Sequence, residues 1–376
     1  MQIDPKTALY LEFLQFSINE NVPAPQSIEK MDWEGLFQFG VEQTIVGVLF
    51  HGIEKLKDHS HKPSVVHIGR FYAYYQRIAA LNKQVFQDAD SLTRGFKKKF
   101  GVDTCVMKGQ ANALLYPDPY MRTPGDIDLW VDAKPIKIIQ MARTFDANAE
   151  IGYHHIQTKC AKTPVELHFF PSFMGNLFYE YRLRKYFNKH KDEQFRNSQA
   201  LPDNLGQINV LTPAFDRVFQ LSHLMHHFFF EGIGFRQMID YYYLLKAGLT
   251  NEEKTETQQM IQHVNMKKFA QAVMFIMQDV FGLEEKYLLF APNKRIGEML
   301  KNEILQSGNF GFHDKRYTFG GKSVYSQYLL EIYRNLHFAL DFPSETVWGR
   351  PVSRWWHMFY KAWLRRQTLK HTSTQP

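Results

Sequence analysis

Segments with the alternation typical of β-strands are confined to one stretch of the sequence, about residues 102–170. Residues 6–98 carry apolar side chains at helical spacing, and the helical pattern resumes after residue 178 and continues to about residue 369. The pattern predicts an α+β protein with a small α/β unit between two helical blocks. We place an N-terminal helical block at 1–98, the α/β core at 99–200 and a C-terminal helical domain at 201–376.

The composition is typical of a globular protein. At about 150 residues per domain, the 376 residues predict two or three domains, and 44% of them are apolar. The two cysteines exclude a disulfide scaffold and a cysteine-based zinc site. The net charge of +7 permits an anionic partner but does not require nucleic acid. Because no apolar run approaches the roughly 18 residues of a membrane span and no secretory signal is recognisable, we predict a cytoplasmic protein.

The most informative motif is an alternation of acidic and apolar residues that begins at Asp126. Successive side chains of a strand point to opposite faces, so Asp126 and Asp128 share one face while Ile127, Leu129 and Val131 share the other, which can be buried. Two carboxylates so close together repel each other unless a cation lies between them, and Mg²⁺ prefers such oxygen ligands. Alone, this spacing is a weak indication of a metal site.

Two further segments strengthen the prediction. Residues 164–169 repeat the alternation, so Glu166 and His168 share a face, and a neighbouring strand would present Glu166 to the two aspartates. Upstream, an apolar run ends at Lys108 and Gly109, just before a short helix. Glycine in a strand-to-helix turn lets backbone N–H groups approach a phosphate, and Lys108 adds positive charge. Together these segments predict a site for a metal-bound triphosphate.

The order of these motifs resembles the bacterial, largely uncharacterised nucleotidyltransferase family of the polymerase-β-like nucleotidyltransferase superfamily. The motifs that carry the resemblance span about residues 102–170 and are Lys108-Gly109, Tyr116-Pro117, Arg122, Asp126-x-Asp128-Leu129 and Glu166-Leu167-His168. The resemblance implies a small mixed sheet with helices, flanked by helical blocks. Gln110 departs from the superfamily, because many members carry Ser or Gly at that place, and it leaves the mode of triphosphate binding open.

The resemblance also implies an activity. We expect a Mg²⁺-dependent transfer of a nucleoside monophosphate from a nucleoside triphosphate to an acceptor hydroxyl, with pyrophosphate as the other product. The acceptor is expected to be a small molecule, a peptide or a protein. An RNA acceptor stays open, although no RNA-binding module or dense basic stripe supports it. The alternative is a non-catalytic nucleotide-binding or interaction protein on the same fold, which Gln110 keeps open.

Roles for the site residues follow from the resemblance. Two Mg²⁺ ions, or Mn²⁺ in their place, are expected at three metal ligands that are also the catalytic residues, Asp126, Asp128 and Glu166. The predicted nucleotide- and phosphate-binding residues are Lys108, Gly109, Gln110, Arg122 and Arg236. His168 is expected next to the metal ligands without binding the metal, because Mg²⁺ prefers oxygen. A surface ion pair with Asp118 is the simpler alternative for Arg122.

A histidine-rich helix is the second notable segment. His223, His226 and His227 lie three and four residues apart and share one face. A transition-metal hydrolase site would need a better ligand spacing. We favour packing histidines whose ring nitrogens bond Asp240 or backbone carbonyls. In a third interpretation, His223, His227, Arg236 and Asp240 match a histidine-containing helix followed by Arg and Asp in the resembled family. They then line the cleft as supporting residues, with Arg236 near a nucleotide phosphate or an acidic acceptor.

Two basic segments lie outside these motifs. Residues 182–191 predict an exposed connection between domains. The segment 355–366 is both aromatic and basic, so contact with a membrane surface or RNA is one interpretation. We favour an amphipathic helix that packs its aromatic side chains and leaves its Arg and Lys side chains in solvent.

Overall fold

The structure is a computed structural model that describes residues 3–314, 316 and 324–372. The N-terminal helices are α1 (Pro5–Ile18), α2 (Trp33–Glu42), α3 (Val46–Lys55) and α4 (Val65–Phe100). Helix α4 begins after Ser64, whose side chain accepts a hydrogen bond from the His67 N–H, and ends at Gly101 in the left-handed conformation. The helical periodicity over residues 6–98 thus predicted these elements correctly.

A small mixed sheet follows helix α4. Its strands are β1 (Thr104–Val106), β2 (Ile127–Val131), β3 (His155–Thr158) and β4 (Val165–His168), with the helices α5 (Gln110–Ala113) and α6 (Pro135–Arg143) between them. The spatial order is β1-β2-β4-β3, in which β2 and β4 are parallel and both outer pairs are antiparallel. The sheet, surrounded by helices, confirms the predicted α+β class. A separate two-stranded sheet is formed by β5 (Ser198–Ala200) and β6 (Gln207–Asn209).

The remaining elements of the described residues are mainly helices. The elements are α7 (Leu177–Gln194), α8 (Pro213–Phe230), α9 (Phe235–Lys246), α10 (Asn251–His263), α11 (Lys267–Asp279), α12 (Lys294–Ser307), α13 (Val324–Asn335) and α14 (Gly349–Thr372). The prediction of a connection at 182–191 is wrong, because these residues lie within α7. Leu183 and Phe187, one helical turn apart, are fully buried, so the basic side chains belong to a packed helix.

Two hydrophobic clusters form the interior, and helix α4 contributes to both. Phe71 and Ile78 in its first half pack in the cluster that holds the N- and C-terminal helices. Phe86 and Phe96 in its second half pack in the cluster beneath the sheet. Between these pairs lies Asn82, which is fully buried. The helix therefore joins the sheet to the helical part of the molecule.

The C-terminal helix differs from expectation. Trp355, Phe359 and Trp363 of α14 are 62%, 60% and 46% exposed, so the prediction that this helix packs its aromatic side chains is wrong for them. Leu364 is fully buried and anchors the helix instead. Of the helices within the described residues, none combines the length and the apolar character needed to cross a bilayer.

Candidate active site

Strands β2 and β4 bring two of the predicted carboxylates together. The strands are parallel and pair Asp128 directly with Glu166. Ile127, Leu129 and Leu167 point to the opposite face and are buried in the cluster beneath the sheet, which explains why the acidic residues share the other face. Asp126 precedes the first residue of β2. The predicted meeting of Asp128 and Glu166 on neighbouring strands is thus observed.

The negative charge of Asp128 is balanced by two cationic side chains, Lys108 and His168. It is 1% exposed, and its Oδ1 accepts hydrogen bonds from His168 Nε2 at 2.9 Å and lies 3.1 Å from Lys108 Nζ. Burial alone would raise the pKa of Asp128, but Lys108 and His168 outweigh it and lower this pKa. In return, although burial opposes it, the hydrogen bonds to Asp128 and Glu166 raise the pKa of His168 to about 9. His168 is therefore protonated at neutral pH.

Glu166 is held by imidazole and amide groups. Gln157 Nε2 donates to its Oε1 at 3.0 Å, and the ring nitrogens His155 Nδ1 and His168 Nε2 lie 3.4 and 3.5 Å from its Oε2. Burial opposes ionisation, but His168 and His155 hold the pKa of Glu166 well below its usual range. His154 is adjacent, and ring nitrogens of the three histidines lie within 4.8 Å of one another. His154 and His155 were not predicted as site residues, because their only signal in the sequence is a pair of histidines at the start of β3.

The pKa of Asp126 shifts in the direction opposite to those of Asp128 and Glu166. Its pKa is raised, first by the charge of Asp128 and then by burial. Asp126 lies at the border of two clefts. One cleft is lined by Lys108, Gly109, Asp128 and Arg236, and the other runs along the β3–β4 loop past Glu166. Asp126 therefore contacts both spaces, although it lies outside the tight group of Asp128, Glu166 and His168.

These side chains fit a divalent metal. Oδ2 of Asp128 is buried and has no hydrogen-bond partner among the described residues, so one oxygen of the most buried carboxylate remains available. Asp128, Glu166 and His168 also place ligand atoms within 4.8 Å of one another. Carboxylate oxygens suit Mg²⁺ and Mn²⁺, whereas the protonated His168 would lie beside such an ion without binding it. Two of the three predicted metal ligands, Asp128 and Glu166, belong to this group, Asp126 does not, and metal binding stays a prediction.

The turn after β1 requires glycine. Gly109 has φ +62° and ψ −106°, and a Cβ there would lie 3.4 Å from the carbonyl oxygen of Asp126. The next side chain, Gln110, is buried and donates from Nε2 to Asn82 Oδ1 at 2.8 Å. Asn82 in turn donates to the carbonyl of Arg122 at 2.6 Å. Gln110 therefore holds the loop before β2 and does not line the cleft, and its predicted contact with phosphate stays a prediction.

Arg122 forms a buried ion pair across the cleft. Its Nε and Nη2 donate to the two oxygens of Asp240 at 2.8 Å each, and the Tyr116 hydroxyl donates to Asp240 Oδ1 at 2.7 Å. The alternative pairing with Asp118 is wrong, because Asp118 accepts instead from the Tyr75 hydroxyl at 2.7 Å. Arg122 therefore connects the loop before β2 to α9, and its contact with phosphate stays a prediction.

Arg236 is the second arginine of the cleft and is much less engaged. Its Nη1 donates to the carbonyl of Thr123 at 3.2 Å, and its Nε has no partner in the part of the chain that the structure describes. Burial, followed by the charge of Arg122, lowers the pKa of Arg236 to about 10. It stays charged at neutral pH and faces Asp126 and Asp128 across the cleft.

The histidines of α8 have separate partners. Lys108 Nζ donates to His223 Nε2 at 3.0 Å, and burial together with the Lys108 charge holds the pKa of His223 well below its usual range. His227 Nδ1 donates to Glu231 Oε2 at 2.8 Å, while His226 packs against Phe173. The expectation that they bond Asp240 or backbone carbonyls is wrong, because Arg122 and Tyr116 occupy Asp240. Over the ranges described, these three histidines form no metal-ligand group, and His223 is the one that lines the cleft.

One comparison with known proteins identifies a family. A family model described as an uncharacterised nucleotidyltransferase matches residues 29–282. None of the curated proteins compared with the chain matches it. A solved structure, an antigenic nucleotidyltransferase-like protein from Paracoccidioides brasiliensis, is 16% identical over 53% of this chain and 97% of its own, with a TM-score of 0.30. Since the family model covers more than half of the sequence and every site residue discussed above, the chain belongs to this uncharacterised nucleotidyltransferase family.

Proposed function

We propose that the protein transfers a nucleoside monophosphate from a nucleoside triphosphate to an acceptor hydroxyl, releasing pyrophosphate, in a reaction that depends on Mg²⁺. The observation that supports this most directly is the pairing of Asp128 with Glu166 on adjacent parallel strands. Asp126 at the start of β2 and the cations Lys108 and Arg236 face the same cleft. Because nucleoside triphosphates are intracellular metabolites, we place the reaction in the cytoplasm.

Asp126, Asp128 and Glu166 are the residues that would hold two Mg²⁺ ions, or Mn²⁺ in their place. When bound, such ions neutralise phosphate charge and favour the ionised form of an attacking hydroxyl. The low pKa of Glu166 keeps it ionised, so it can accept a hydrogen bond from the acceptor hydroxyl and orient it. The Asp128 carboxylate is fixed between His168 and Lys108, which orients it before any ligand binds.

Phosphate binding is assigned to the cations that line the cleft. Lys108 is held between Asp128 and His223, so its ammonium has a defined position at the Gly109 turn. Arg236 lies across the cleft, and its Nε has no hydrogen-bond partner among the residues that the structure describes. A triphosphate between them would meet positive charge from both sides, and preorganised charges of this kind stabilise phosphoryl transfer. Arg122 acts indirectly, by fixing Asp240 and the loop before β2.

The acceptor is assigned to the second cleft. This cleft is lined by both Asp126 and Glu166, and also by Lys159, Lys162 and Gln157 of the β3–β4 hairpin. A hydroxyl that entered along the hairpin would reach the carboxylates from the side opposite Arg236. The cleft is open along the hairpin, which suits a small molecule or an exposed side chain of a peptide or protein.

A second candidate is a nucleotide-binding protein without catalysis. Gln110 favours it, because glutamine has no hydroxyl to offer a terminal phosphate. Its amide is also turned toward Asn82. In this case the cleft would bind a triphosphate without transferring its nucleotide.

The test is a transfer assay with each α-³²P-labelled nucleoside triphosphate, the purified protein, Mg²⁺ or Mn²⁺, and a lysate as the source of acceptors. We expect label on one acceptor class and release of pyrophosphate. The Asp128→Asn variant should neither label an acceptor nor release pyrophosphate. Asp132→Asn is the matched control, because Asp132 directly follows β2 but is exposed and pairs with Lys191 at 3.0 Å.

Three results would contradict the proposal. Nucleotide binding by the wild type without label transfer would favour the non-catalytic candidate. Transfer that persisted in Asp128→Asn would show that another site does the chemistry. If binding is also absent from the wild type, as measured by calorimetry with a non-hydrolysable triphosphate, both candidates fail.

A further inference from the structure

Helix α14 has an unusual charge composition. Residues 349–372 include six Lys or Arg residues and no Asp or Glu. One of the six, Arg350, is buried and pairs with Glu331 Oε2 at 2.6 Å, so the positive charge of the helix surface comes from the five that follow it along the helix. None of the site residues described above belongs to this helix, so its charge is not explained by nucleotide binding.

Large apolar side chains cover the outward face of the same helix. Val352, Trp355, Phe359 and Trp363 follow at intervals of three and four residues, which places them in one stripe, and each is about half exposed or more. Met358 and Leu369 add further exposed apolar surface. Monomeric proteins rarely expose a continuous apolar stripe, so this face indicates an interaction surface.

The opposite face of α14 is firmly packed. Leu364 is fully buried among the residues beneath the sheet. The His357 ring stacks on Tyr153 with centroids 3.6 Å apart, and Trp356 Nε1 donates to the Tyr153 hydroxyl at 3.0 Å. The apolar stripe is therefore exposed on a docked helix.

Basic side chains flank the stripe. Lys361 and Arg365 are one turn apart on one side of it, and Arg366 lies within the stripe itself. Aromatic side chains at the level of lipid headgroups, with Lys and Arg beside them, are typical of helices that lie in a membrane interface. Two copies of this chain that met through this face would bring two strongly positive helices together, which charge repulsion disfavours.

We propose that this face of α14 binds the surface of an anionic lipid bilayer, with the helix lying parallel to the membrane. The apolar stripe inserts among the headgroups, and the basic side chains contact lipid phosphates. The attachment is peripheral, because the helix is too polar to cross the bilayer. This inference does not depend on the proposed activity.

The test is co-sedimentation of the full chain with vesicles of phosphatidylcholine alone or with 30 mol% phosphatidylglycerol. We expect binding to the anionic vesicles and at least tenfold weaker binding to the neutral ones, with loss in 0.5 M NaCl. A Trp355→Ser/Phe359→Ser/Trp363→Ser variant and a Lys361→Gln/Arg365→Gln/Arg366→Gln variant should each bind at least tenfold more weakly. Circular dichroism should show that both remain folded.

Matched controls come from helix α4. Tyr72→Ser removes a half-exposed aromatic side chain and Lys98→Gln removes an exposed charge, and neither should alter vesicle binding. Equal binding to neutral and anionic vesicles, or no binding to either, would overturn the proposal. Light scattering that showed a dimer dissolved by the Trp355→Ser/Phe359→Ser/Trp363→Ser variant would assign the face to a second copy instead.

Discussion

The cleft lies between a strand wall, formed by β2, β4 and the Lys108 turn, and a helix wall, formed by α8 and α9. On the strand wall, Asp128 and Glu166 both contact cationic or imidazole side chains. On the helix wall, both carboxylate oxygens of Asp240 accept hydrogen bonds from Arg122. Arg236, by contrast, donates to one backbone carbonyl in the described ranges. Groups that are fully paired maintain the shape of a site, while an unpaired buried cation indicates where an anion binds.

The largest change in the free energy of unfolding is expected when the Arg122–Asp240 pair is broken. Arg122→Met leaves the Asp240 carboxylate buried without a cation, which should lower the free energy of unfolding by about 3–5 kcal/mol. Urea denaturation measures the loss. The Arg122→Met/Asp240→Leu double variant should recover most of it, because no charge is then left unpaired. A single variant as stable as the wild type would refute the structural role of the pair.

The pH dependence of stability should come from the strand wall. His168 has a pKa of about 9 in the folded protein, above the ordinary value of 6.5. Protonated His168 therefore stabilises the folded state, fully below about pH 6.5. This stabilisation is lost as the pH rises through 9. Without added metal, the free energy of unfolding should fall by about 3 kcal/mol over that window.

Denaturation at several pH values tests the assignment to His168. The His168→Asn variant should show a much flatter profile, while the exposed control His263→Asn should retain the slope of the wild type. An unchanged slope in His168→Asn would place the titrating group elsewhere.

A smaller effect, on ligand affinity, is expected on the helix wall. Arg236→Ala should weaken binding of a non-hydrolysable triphosphate about 10- to 100-fold, the loss expected for one charged hydrogen bond of about 1.5–3 kcal/mol. The melting temperature should change little, because within the described residues this guanidinium donates to one carbonyl and its Nε has no partner. Calorimetry provides the affinity. A large loss of stability with unchanged affinity would instead group Arg236 with Arg122.

The smallest change, again in the free energy of unfolding, is expected for a substitution in the Gly109 turn after β1. Gly109→Ala forces a side chain into φ +62° and should cost about 1 kcal/mol of unfolding free energy. Gly95→Ala is the matched control, since Gly95 lies within α4 and an added Cβ has no neighbour within 4 Å. That change should stabilise the protein by about 0.5–1 kcal/mol. If both variants behave alike, the conformation of the turn is not constrained.

Local patterns predicted the strand wall well. Alternation in β2 and β4 separates the acidic face from the apolar face, because a strand has a strict period of two residues. The buried Ile127, Leu129 and Leu167 show that the apolar face is covered as expected. Helix periodicity likewise located the elements before and after the sheet.

The pairs that close the cleft could not be predicted in this way. Arg122 and Asp240 are 118 residues apart, and Lys108 and His223 are 115 residues apart. Such contacts depend on how α8 and α9 pack against the sheet, and no local spacing encodes that packing. The same limit explains α14, since an amphipathic pattern does not reveal which face of a helix is covered.

Helix α4 links the stabilities of the two hydrophobic clusters. Because Phe71 and Ile78 pack in one and Phe86 and Phe96 in the other, neither cluster can lose its packing without disturbing a rod about 54 Å long that the other needs. Asn82, midway along it, also holds the carbonyl of Arg122. The protein should therefore unfold as one cooperative unit, with a single calorimetric transition whose midpoint rises when nucleotide binds to the cleft.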